Sequence, residues 1–400
     1  MMKIEMIKEA ANLLADVIKK TPLIYSQVFS AESGNEVYLK PENLQITGAF
    51  KIRGAYNKVS HLTELERSCG IVAASAGNHA QGVAFAASRL GVKATIVMPS
   101  QTPLIKIEAT KEYGADVVLY GDCYDDAQGK ALEIHNEKGA TIVHPFDDPY
   151  VIAGQGTIGL EIMEALEDVD IIVVPIGGGG LISGIACAIK EINPKIRIIG
   201  VEPKGAQTLN YSLQNNCVSE LGAVSTIAEG VAVKKPGELT FSMVKRYVDE
   251  IVVVSDVDVL EAFLLMVEKE KLIVENAGVL SLAALKKLPY KNKKIVSVIS
   301  GGNIDVVTIS EMINRGLISR GRLFCFSVEL HDTPGELLKI AKILADHKAN
   351  VIKLEHNQFK TIDRFMHVQL EITLETNGHK HVKEIKKALR NESYHVTVVY

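Results

Sequence analysis

The chain has 400 residues, of which 47% are hydrophobic and 23% are charged. This composition excludes a wholly disordered chain, and at roughly 150 residues per domain the length predicts two to three domains. Lysine and arginine total 44, against 48 aspartate and glutamate, for a net charge of −4. Because nucleic-acid binders carry a basic surplus, this near balance argues against a nucleic-acid partner.

The five cysteines are widely spaced and form no CxxC pair. A disulfide framework or a zinc site is therefore not expected, and a reducing compartment fits best. The first residues, MMKIEMIKEAANLLADVIKK, show helical spacing of apolar positions and no signal-peptide core. No run approaches the ~20 apolar residues of a membrane span, so we expect a cytoplasmic protein without membrane contact.

Short β-branched runs alternate with helical stretches through the middle of the chain. The runs lie at residues 71–74, 94–98, 116–119, 171–176, 196–201, 251–254 and 295–299, and helical periodicity lies at 80–90, 181–192 and 257–270. Most positions in these runs are apolar and do not alternate with polar ones, as in strands buried on both faces. This order predicts open parallel sheets in an α/β fold, with ligands bound beyond the carboxyl ends of the strands.

The composition changes near residue 320. Residues 316–322 are short, basic and glycine-containing, and we interpret them as a linker. The order that follows is strand 323–330, helix 335–347, strands 350–356 and 365–374, helix 379–389 and strand 396–399. This βαββαβ order predicts a small ferredoxin-like unit with its own core.

Four consecutive glycines, Gly177 to Gly180, follow one apolar run and precede a helix. Without Cβ atoms this backbone can turn sharply and bring N–H groups close to an anion, and the helix N-terminus adds a partial positive charge. The turn lacks the GK[ST] ending of Walker A and is not GxGxxG. We interpret it as a phosphate cradle, and the alternative is a flexible tight turn.

Two further turns follow predicted strands. In SAGNHAQG, Ser75 is expected to cap a helix whose free first-turn amides could bind a substrate carboxylate. In SGGN, the hydroxyl of Ser300 could bond one ligand atom. The alternatives are an ordinary capped helix and an ordinary glycine turn.

Lys51 lies beside Phe50 in the string QITGAFKIRGA. A lysine held in an apolar pocket loses proton affinity and can act as a nucleophile or a base. From the residues alone, a surface lysine with its stem on apolar neighbours is the stronger interpretation.

Together these strings resemble the fold-type II pyridoxal-phosphate enzymes, and specifically the threonine/serine dehydratases (threonine ammonia-lyases). They occur in the family's order over residues 1–320, as PENLQITGAFKIRGA, SAGNHAQG, HPFDDPYVIAGQGT, VPIGGGGLISG, AEGVAVKKPG and SGGN. The resemblance implies two open parallel-sheet domains of the tryptophan-synthase-β-like type, a large one of residues 1–44 and 145–320 and a small one of residues 45–144. The tail, residues 323–400, resembles an ACT domain, a small amino-acid-sensing module.

The resemblance also implies a set of site residues. Lys51 would be the catalytic residue and would form the Schiff base with pyridoxal 5'-phosphate, with Phe50 against the ring. The phosphate would be held by Gly177, Gly178, Gly179, Gly180 and the Leu181 amide, the phenolic oxygen by Asn78 and the pyridine nitrogen by Ser300. The substrate carboxylate would be bound by the loop of Ser75, Ala76, Gly77, Asn78 and His79.

Such a site implies elimination of water from L-threonine, which gives 2-oxobutanoate and ammonia, or from L-serine, which gives pyruvate. A hydroxyl at position 300 leaves the pyridine nitrogen largely unprotonated, which suits elimination rather than transamination. The freed Lys51 amine would remove the α-proton as general base. The reaction would belong either to isoleucine biosynthesis or to threonine catabolism.

Some positions discriminate within the family. Serine racemases carry a second serine where this chain has Ala76, so racemisation is expected to be weak. A divalent-cation site of some relatives matches at Glu202 and Ala206, but Thr208 replaces its aspartate, and no metal is assigned. Glu229 stands where relatives usually have aspartate, and Glu275 is either an acid at the edge of the site or a helix-capping carboxylate.

The ACT resemblance implies regulation by isoleucine or valine at a turn that contains Asp332, Pro334 and Gly335. The alternatives are a dimerisation module without a ligand and an AMP-like effector. The family also implies a homo-oligomer, a dimer or a tetramer. Three other functions stay open, namely a serine-preferring or serine-racemase-like enzyme, a β-replacement enzyme and an inactive amino-acid sensor.

Overall fold

The structure is a computed structural model that describes residues 2–357 and 367–400. The chain divides into a first unit, Met1–Asp305, and a second unit, Val306–Tyr400. Within the described ranges, no helix is both long and apolar enough to cross a membrane. The first two residues of the predicted strand 365–374 lie outside the described residues.

The first unit alternates helices and strands. In chain order it begins with α1 (Ile4–Leu14), β1 (Ile24–Tyr25), α2 (Gln27–Ser33), β2 (Glu36–Pro41), α3 (Lys51–Ser60), α4 (Glu64–Cys69), β3 (Ile71–Ala74), α5 (Asn78–Leu90), β4 (Ala94–Met98), α6 (Leu104–Lys111), β5 (Asp116–Leu119), α7 (Tyr124–Lys138), β6 (Thr141–Ile142) and α8 (Pro149–Ala165). It continues with β7 (Ile171–Pro175), α9 (Gly180–Ile192), β8 (Arg197–Pro203), α10 (Thr208–Gln214), α11 (Glu238–Tyr247), β9 (Glu250–Val254), α12 (Asp256–Leu265), α13 (Leu280–Ala283) and β10 (Lys294–Ile299).

A large sheet has the strand order β1-β2-β10-β7-β8-β9 and is parallel except where β1 pairs with β2. Every residue of β7 is buried, which explains why its sequence is apolar without alternation. A small sheet of parallel strands has the order β5-β4-β3-β6. The predicted α/β class with two open parallel sheets is confirmed.

The runs at 71–74, 94–98 and 116–119 match their strands residue for residue, and the other runs match within two residues at either end. Strands β1, β2 and β6 were not predicted from the sequence. β1 and β6 have two residues each, and β2, EVYLKP, mixes charged and apolar residues. Such segments carry too little periodic signal to distinguish them from loops.

The second unit contains α14 (Val306–Ser319), β11 (Leu323–His331), α15 (Glu336–Asp346), β12 (Asn350–Asn357), β13 (His367–Glu375), α16 (His379–Asn391) and β14 (Val396–Val398). Its antiparallel sheet has the order β12-β13-β11-β14, and Phe326 packs with Ile340 of α15 and Ile385 of α16 in one core. The βαββαβ unit is confirmed. The linker prediction is partly wrong, because residues 316–319 form the last turn of α14.

Candidate active site

The turn before α3 and the turn after β10 lie side by side, although about 250 residues separate them in the chain. The Phe50 amide donates to the Ser300 carbonyl at 3.1 Å, and the Gly302 amide donates to the Gly48 carbonyl at 2.8 Å. These backbone bonds join the Lys51 segment to the SGGN segment. Two of the turns singled out in the sequence therefore meet at the carboxyl end of β10.

Lys51 is the first residue of α3 and is partly buried. Its Nζ donates a 2.7 Å hydrogen bond to the Pro145 carbonyl and lies 5.2 Å from the centroid of the Phe50 ring. Burial lowers the pKa of the Lys51 amine to about 8, and the Glu275 charge opposes that effect. The surface-lysine interpretation is wrong, because the Lys51 amine is enclosed by protein. Its lowered pKa means that a larger fraction of the amine is uncharged near neutral pH than for an ordinary lysine.

The glycine turn lies between β7 and α9. Gly179 has φ +90° and is the N-cap of α9, without a capping side chain, so first-turn amides stay open to a ligand. A Cβ atom at Gly178 would lie 2.2 Å from Cδ1 of Phe146. The other three glycines are closely packed as well: Val231 lies beside Gly177, Phe146 beside Gly180, and Leu209 and Thr240 beside Gly179. Leu181, the next residue, is buried. Neighbouring protein atoms thus leave no room for a side chain at any of the four glycines, while the uncapped first-turn amides of α9 are what an anion cradle needs.

The turn after β3 leads directly into α5. This helix begins at Asn78 with Gly77 as N-cap, so the prediction that Ser75 is the N-cap is wrong. Ser75 Oγ instead accepts the Gly77 amide at 3.3 Å, because the turn folds back on itself before the helix starts. Among the described residues no side chain caps α5, so its first amides can bind a carboxylate.

His79 is buried in the first turn of α5, and its Nε2 lies 2.8 Å from the Val143 carbonyl. Burial lowers the pKa of His79 to about 3, and the Lys51 charge adds to that effect. The ring is therefore neutral, and Nε2 carries the proton that the carbonyl accepts. This internal bond orients His79 toward β6 rather than toward a ligand.

Asn78 and Glu275 form a polar pair beside Lys51. Asn78 Nδ2 donates to Glu275 Oε1 at 2.7 Å. Burial raises the pKa of Glu275 to about 7, although the Asn78 hydrogen bond and the charges of Lys106 and Lys51 oppose the rise. Glu275 caps no helix in this contact, so the structure favours the site-edge interpretation of this acid. It can hold or release a proton near neutral pH.

The family model described as pyridoxal-phosphate dependent enzyme matches residues 14–301. This chain belongs to the pyridoxal-phosphate-dependent enzyme family. An L-threonine ammonia-lyase of Thermotoga maritima is 50% identical over 400 residues, which covers 100% of both chains. The solved structure of the processed form of threonine deaminase isoform 2 from Solanum lycopersicum is 40% identical with a TM-score of 0.75, and covers 78% of this chain and 92% of that one. Maize serine racemase is 37% identical with a TM-score of 0.75, and covers 80% of this chain and 99% of that one.

The residues of this pyridoxal-phosphate-dependent enzyme fit its cofactor, pyridoxal phosphate. The Lys51 amine has the lowered pKa that a carbonyl-binding lysine needs, and the glycine turn offers uncapped amides to a phosphate. Ser300 is buried just after β10, and its Oγ donates a long hydrogen bond of 3.4 Å to the Ala277 carbonyl. Such a weak bond leaves the hydroxyl able to serve a ligand atom.

Glu202 is fully buried at the end of β8, and its two carboxylate oxygens accept the amides of Leu209 and Asn210 at 2.8 and 2.9 Å. Burial raises the pKa of Glu202 to about 7, although both amides oppose the rise. Thr208 Oγ1 donates to the Val233 carbonyl, and Ala206 ends the 3₁₀ turn Lys204–Ala206. In the part of the chain described, no three metal-binding side chains form a group. The arrangement supports Glu202 as the cap of α10.

The predicted effector residues belong to the second unit. Asp332 and Pro334 are exposed in the turn after β11. Gly335 has φ +101° and is the N-cap of α15, a conformation that side-chain-bearing residues rarely adopt. The effector role of this turn stays a prediction.

Three site residues received no role from the sequence, namely Pro145, Phe146 and Asn303. Pro145 accepts the Lys51 bond and Phe146 packs on the glycine turn, so these neighbours connect the lysine to the cradle. Asn303 bonds the Asn78 side chain. All three lie inside strings that carried the resemblance, HPFDDPY and SGGN, and that membership was the signal that could have identified them.

Proposed function

We propose that this enzyme deaminates L-threonine to 2-oxobutanoate and ammonia, and L-serine to pyruvate and ammonia, through elimination of water followed by hydrolysis of the enamine. The similarity to the L-threonine ammonia-lyase of Thermotoga maritima and the threonine deaminase of Solanum lycopersicum supports this substrate class. The observation that carries the proposal is the Lys51 amine, held by the Pro145 carbonyl with its pKa lowered to about 8. A lysine in this setting is suited to both carbonyl binding and proton transfer.

Bound pyridoxal phosphate would supply an electron sink that acidifies the α-proton of the substrate amino acid. Lys51 Nζ would accept that proton. The uncapped amides at the start of α5 would bind the substrate carboxylate and thereby orient the Cα–H bond. Both roles follow from the positions of the Lys51 amine and of the backbone amides at the start of α5.

The leaving hydroxyl needs a proton to depart as water. Glu275, with a pKa raised to about 7 by burial, lies near Lys51 and can hold such a proton at its carboxyl group. A cofactor phosphate held by the glycine turn before α9 would be the alternative acid. After water leaves, the resulting enamine is hydrolysed in solution to the keto acid and ammonia, and this hydrolysis takes up one molecule of water again.

Keto-acid release from L-threonine, L-serine and D-serine tests the proposal. We expect L-threonine to be the preferred substrate, an absorbance band near ~410 nm from the bound cofactor, and loss of both activity and band in Lys51→Ala. Lys20→Ala is the control, because Lys20 pairs with Glu164 at the surface and should change neither readout. A protein that stays colourless with added cofactor, or a tenfold preference for L-serine, would contradict the proposal.

A serine-racemase-like enzyme is the second candidate, and the similarity to maize serine racemase is the observation that favours it. Racemisation needs a proton donor on the face of the substrate opposite the lysine. Ala76, in the loop before α5, has no exchangeable proton. This residue favours elimination over racemisation.

We also propose the finer organisation that the resemblance implies. Residues 45–144 would form a small domain inserted into a large one of residues 1–44 and 145–320, and residues 323–400 would be an ACT domain that binds isoleucine or valine. A homo-oligomer and a cytoplasmic location belong to the same proposal. Activity at rising isoleucine concentration tests the regulatory part, and Asp332→Ala should raise the concentration needed for half of the effect. The regulatory proposal fails if isoleucine and valine change neither rate nor affinity.

A further inference from the structure

Asn303, the last residue of the SGGN turn, connects two segments of the site through its side-chain amide. Its Nδ2 donates to the Thr47 carbonyl at 2.7 Å and to Asn78 Oδ1 at 2.8 Å. A third acceptor, Gln81 Oε1, lies 3.5 Å away and contributes less. The two short bonds use both hydrogens of the amide.

The chemistry of the partners fixes which way each amide points. A backbone carbonyl only accepts, so Asn303 must turn its NH₂ group toward Thr47. The same NH₂ group then meets the oxygen of Asn78, which leaves the Asn78 NH₂ group facing Glu275 at 2.7 Å. The two amide orientations would otherwise be ambiguous, but the Thr47 carbonyl and the Glu275 carboxyl group define the two ends of this series of hydrogen bonds.

Packing holds Asn303 in this orientation. Its Oδ1 lies where a Cβ atom at Gly48 would be, at 2.2 Å from that position. Gly48 has φ +70°, so a larger residue is disfavoured there by backbone conformation as well as by space. The Asn303 side chain therefore occupies a slot that only a glycine at position 48 leaves open.

We infer that Asn303 is a positioning residue that fixes the Asn78 amide with its N–H bonds toward Glu275 and the cofactor. The inference rests on the proposed function, since it deepens the role of Asn78 in the same site. One Asn78 N–H serves Glu275, and the other remains for the cofactor oxygen that the resemblance assigns to Asn78.

Loss of Asn303 changes what Glu275 faces. The Asn78 amide can then rotate by half a turn and present its oxygen to Glu275, which disfavours the charged carboxylate. The other charged groups that act on Glu275 are Lys51, Lys106 and Glu229, and they are unaltered by the substitution. The Glu275 carboxyl group should therefore titrate at a higher pH in the variant than in the unaltered protein, although its charged neighbours are the same.

Two pH titrations of the holoenzyme test the inference, one of the cofactor absorbance and one of kcat/KM for L-threonine. Asn303→Ala, and the neutral Asn303→Leu of similar size if the first variant does not fold, should raise the apparent pKa of the acid limb by about one pH unit. In a Glu275→Gln background the same Asn303 substitution should produce no such shift. Asn43→Ala is the matched control, because Asn43 Nδ2 bonds only a backbone carbonyl, that of Ile273, at 3.1 Å.

A uniform loss of activity at every pH, or an equal shift with and without Glu275, would overturn the inference and leave Asn303 with a purely structural role. Failure of the proposed function has a different signature. In that case wild-type protein releases no keto acid from any amino acid tested, while the absorbance titration still reports whether Asn303 acts through Glu275.

Discussion

Arg53 and Glu42 form a bidentate ion pair in which both side chains are fully buried. Arg53 Nε lies 2.7 Å from Glu42 Oε2, and Nη2 lies 2.8 Å from Oε1. Burial alone would raise the pKa of Glu42, but the adjacent guanidinium brings it below the usual value. Arg53 lies two residues after Lys51, so the pair anchors the helix that carries the reactive amine.

The remaining donors of Arg53 bind α8. Its Nη1 donates to Thr157 Oγ1 at 3.0 Å and to Glu161 Oε1 at 2.6 Å, and its Nη2 also reaches Glu161 Oε2 at 3.0 Å. Lys40 adds a second cation at 2.5 Å from Glu161 Oε2. All five N–H donors of the guanidinium are therefore paired. Buried charges with complete hydrogen bonding specify one register of packing between α3 and α8. They add little net stability compared with well-packed apolar residues.

Arg53→Met should lower the free energy of unfolding by about 3–5 kcal/mol, because it leaves buried carboxylates without their partner. Urea titration of the cofactor-free protein measures this change. Lys20→Met is the control, since it breaks an ion pair whose side chains are 60% and 68% exposed and should change stability little. An equal effect of the two substitutions would contradict the buried-network interpretation.

The Lys51 amine should titrate near pH 8 in the cofactor-free protein, whereas an ordinary lysine titrates near 10.5. Because only the neutral amine reacts, the rate of reductive methylation at Lys51 should reach half of its maximum near pH 8, as peptide mass spectrometry can follow. Glu275→Gln should move this midpoint lower, because the Glu275 charge raises the pKa of Lys51. A midpoint that matches surface lysines would disprove the enclosed setting of the amine.

Gly178→Ala should weaken cofactor binding by about tenfold or more, because the new Cβ meets the Phe146 ring at 2.2 Å and the turn must shift. Titration of the cofactor band gives the dissociation constant. Gly129→Ala in α7 is the matched control, since nothing lies within 4 Å of its Cβ and alanine favours a helix. Phe146→Leu in the Gly178→Ala background should restore part of the affinity, and an unchanged affinity in Gly178→Ala would refute the cradle.

Ala76→Ser should increase the formation of D-serine from L-serine, because it adds an exchangeable proton to the loop before α5. Chiral chromatography measures D-serine, and keto-acid release measured in parallel gives the ratio of racemisation to elimination. Ala31→Ser, at an exposed position of α2, is the control for adding a hydroxyl elsewhere in the chain. If the ratio does not rise in Ala76→Ser, then residue 76 does not decide between the two reactions.

The sequence determined those features that depend on local pattern. Largely apolar runs located β3 and β4 because strands covered on both faces have no polar side to alternate with. The four glycines after β7 indicated a close backbone approach, and the strings around Lys51 and Ser300 carried the family resemblance. Each of these signals is contained within a short stretch of neighbouring residues, where covalent geometry and burial act directly.

Only the tertiary structure decided which distant groups meet. Lys51 meets the Pro145 carbonyl, and Asn78 meets the Asn303 amide, although each pair is far apart in the chain. Arg53 and Glu42 are closer in the chain, but no periodicity relates them either. The length and composition that predicted two to three domains could not specify these contacts. They arise from the order in which strands pair, and the pKa of Lys51 follows from the burial that this order creates.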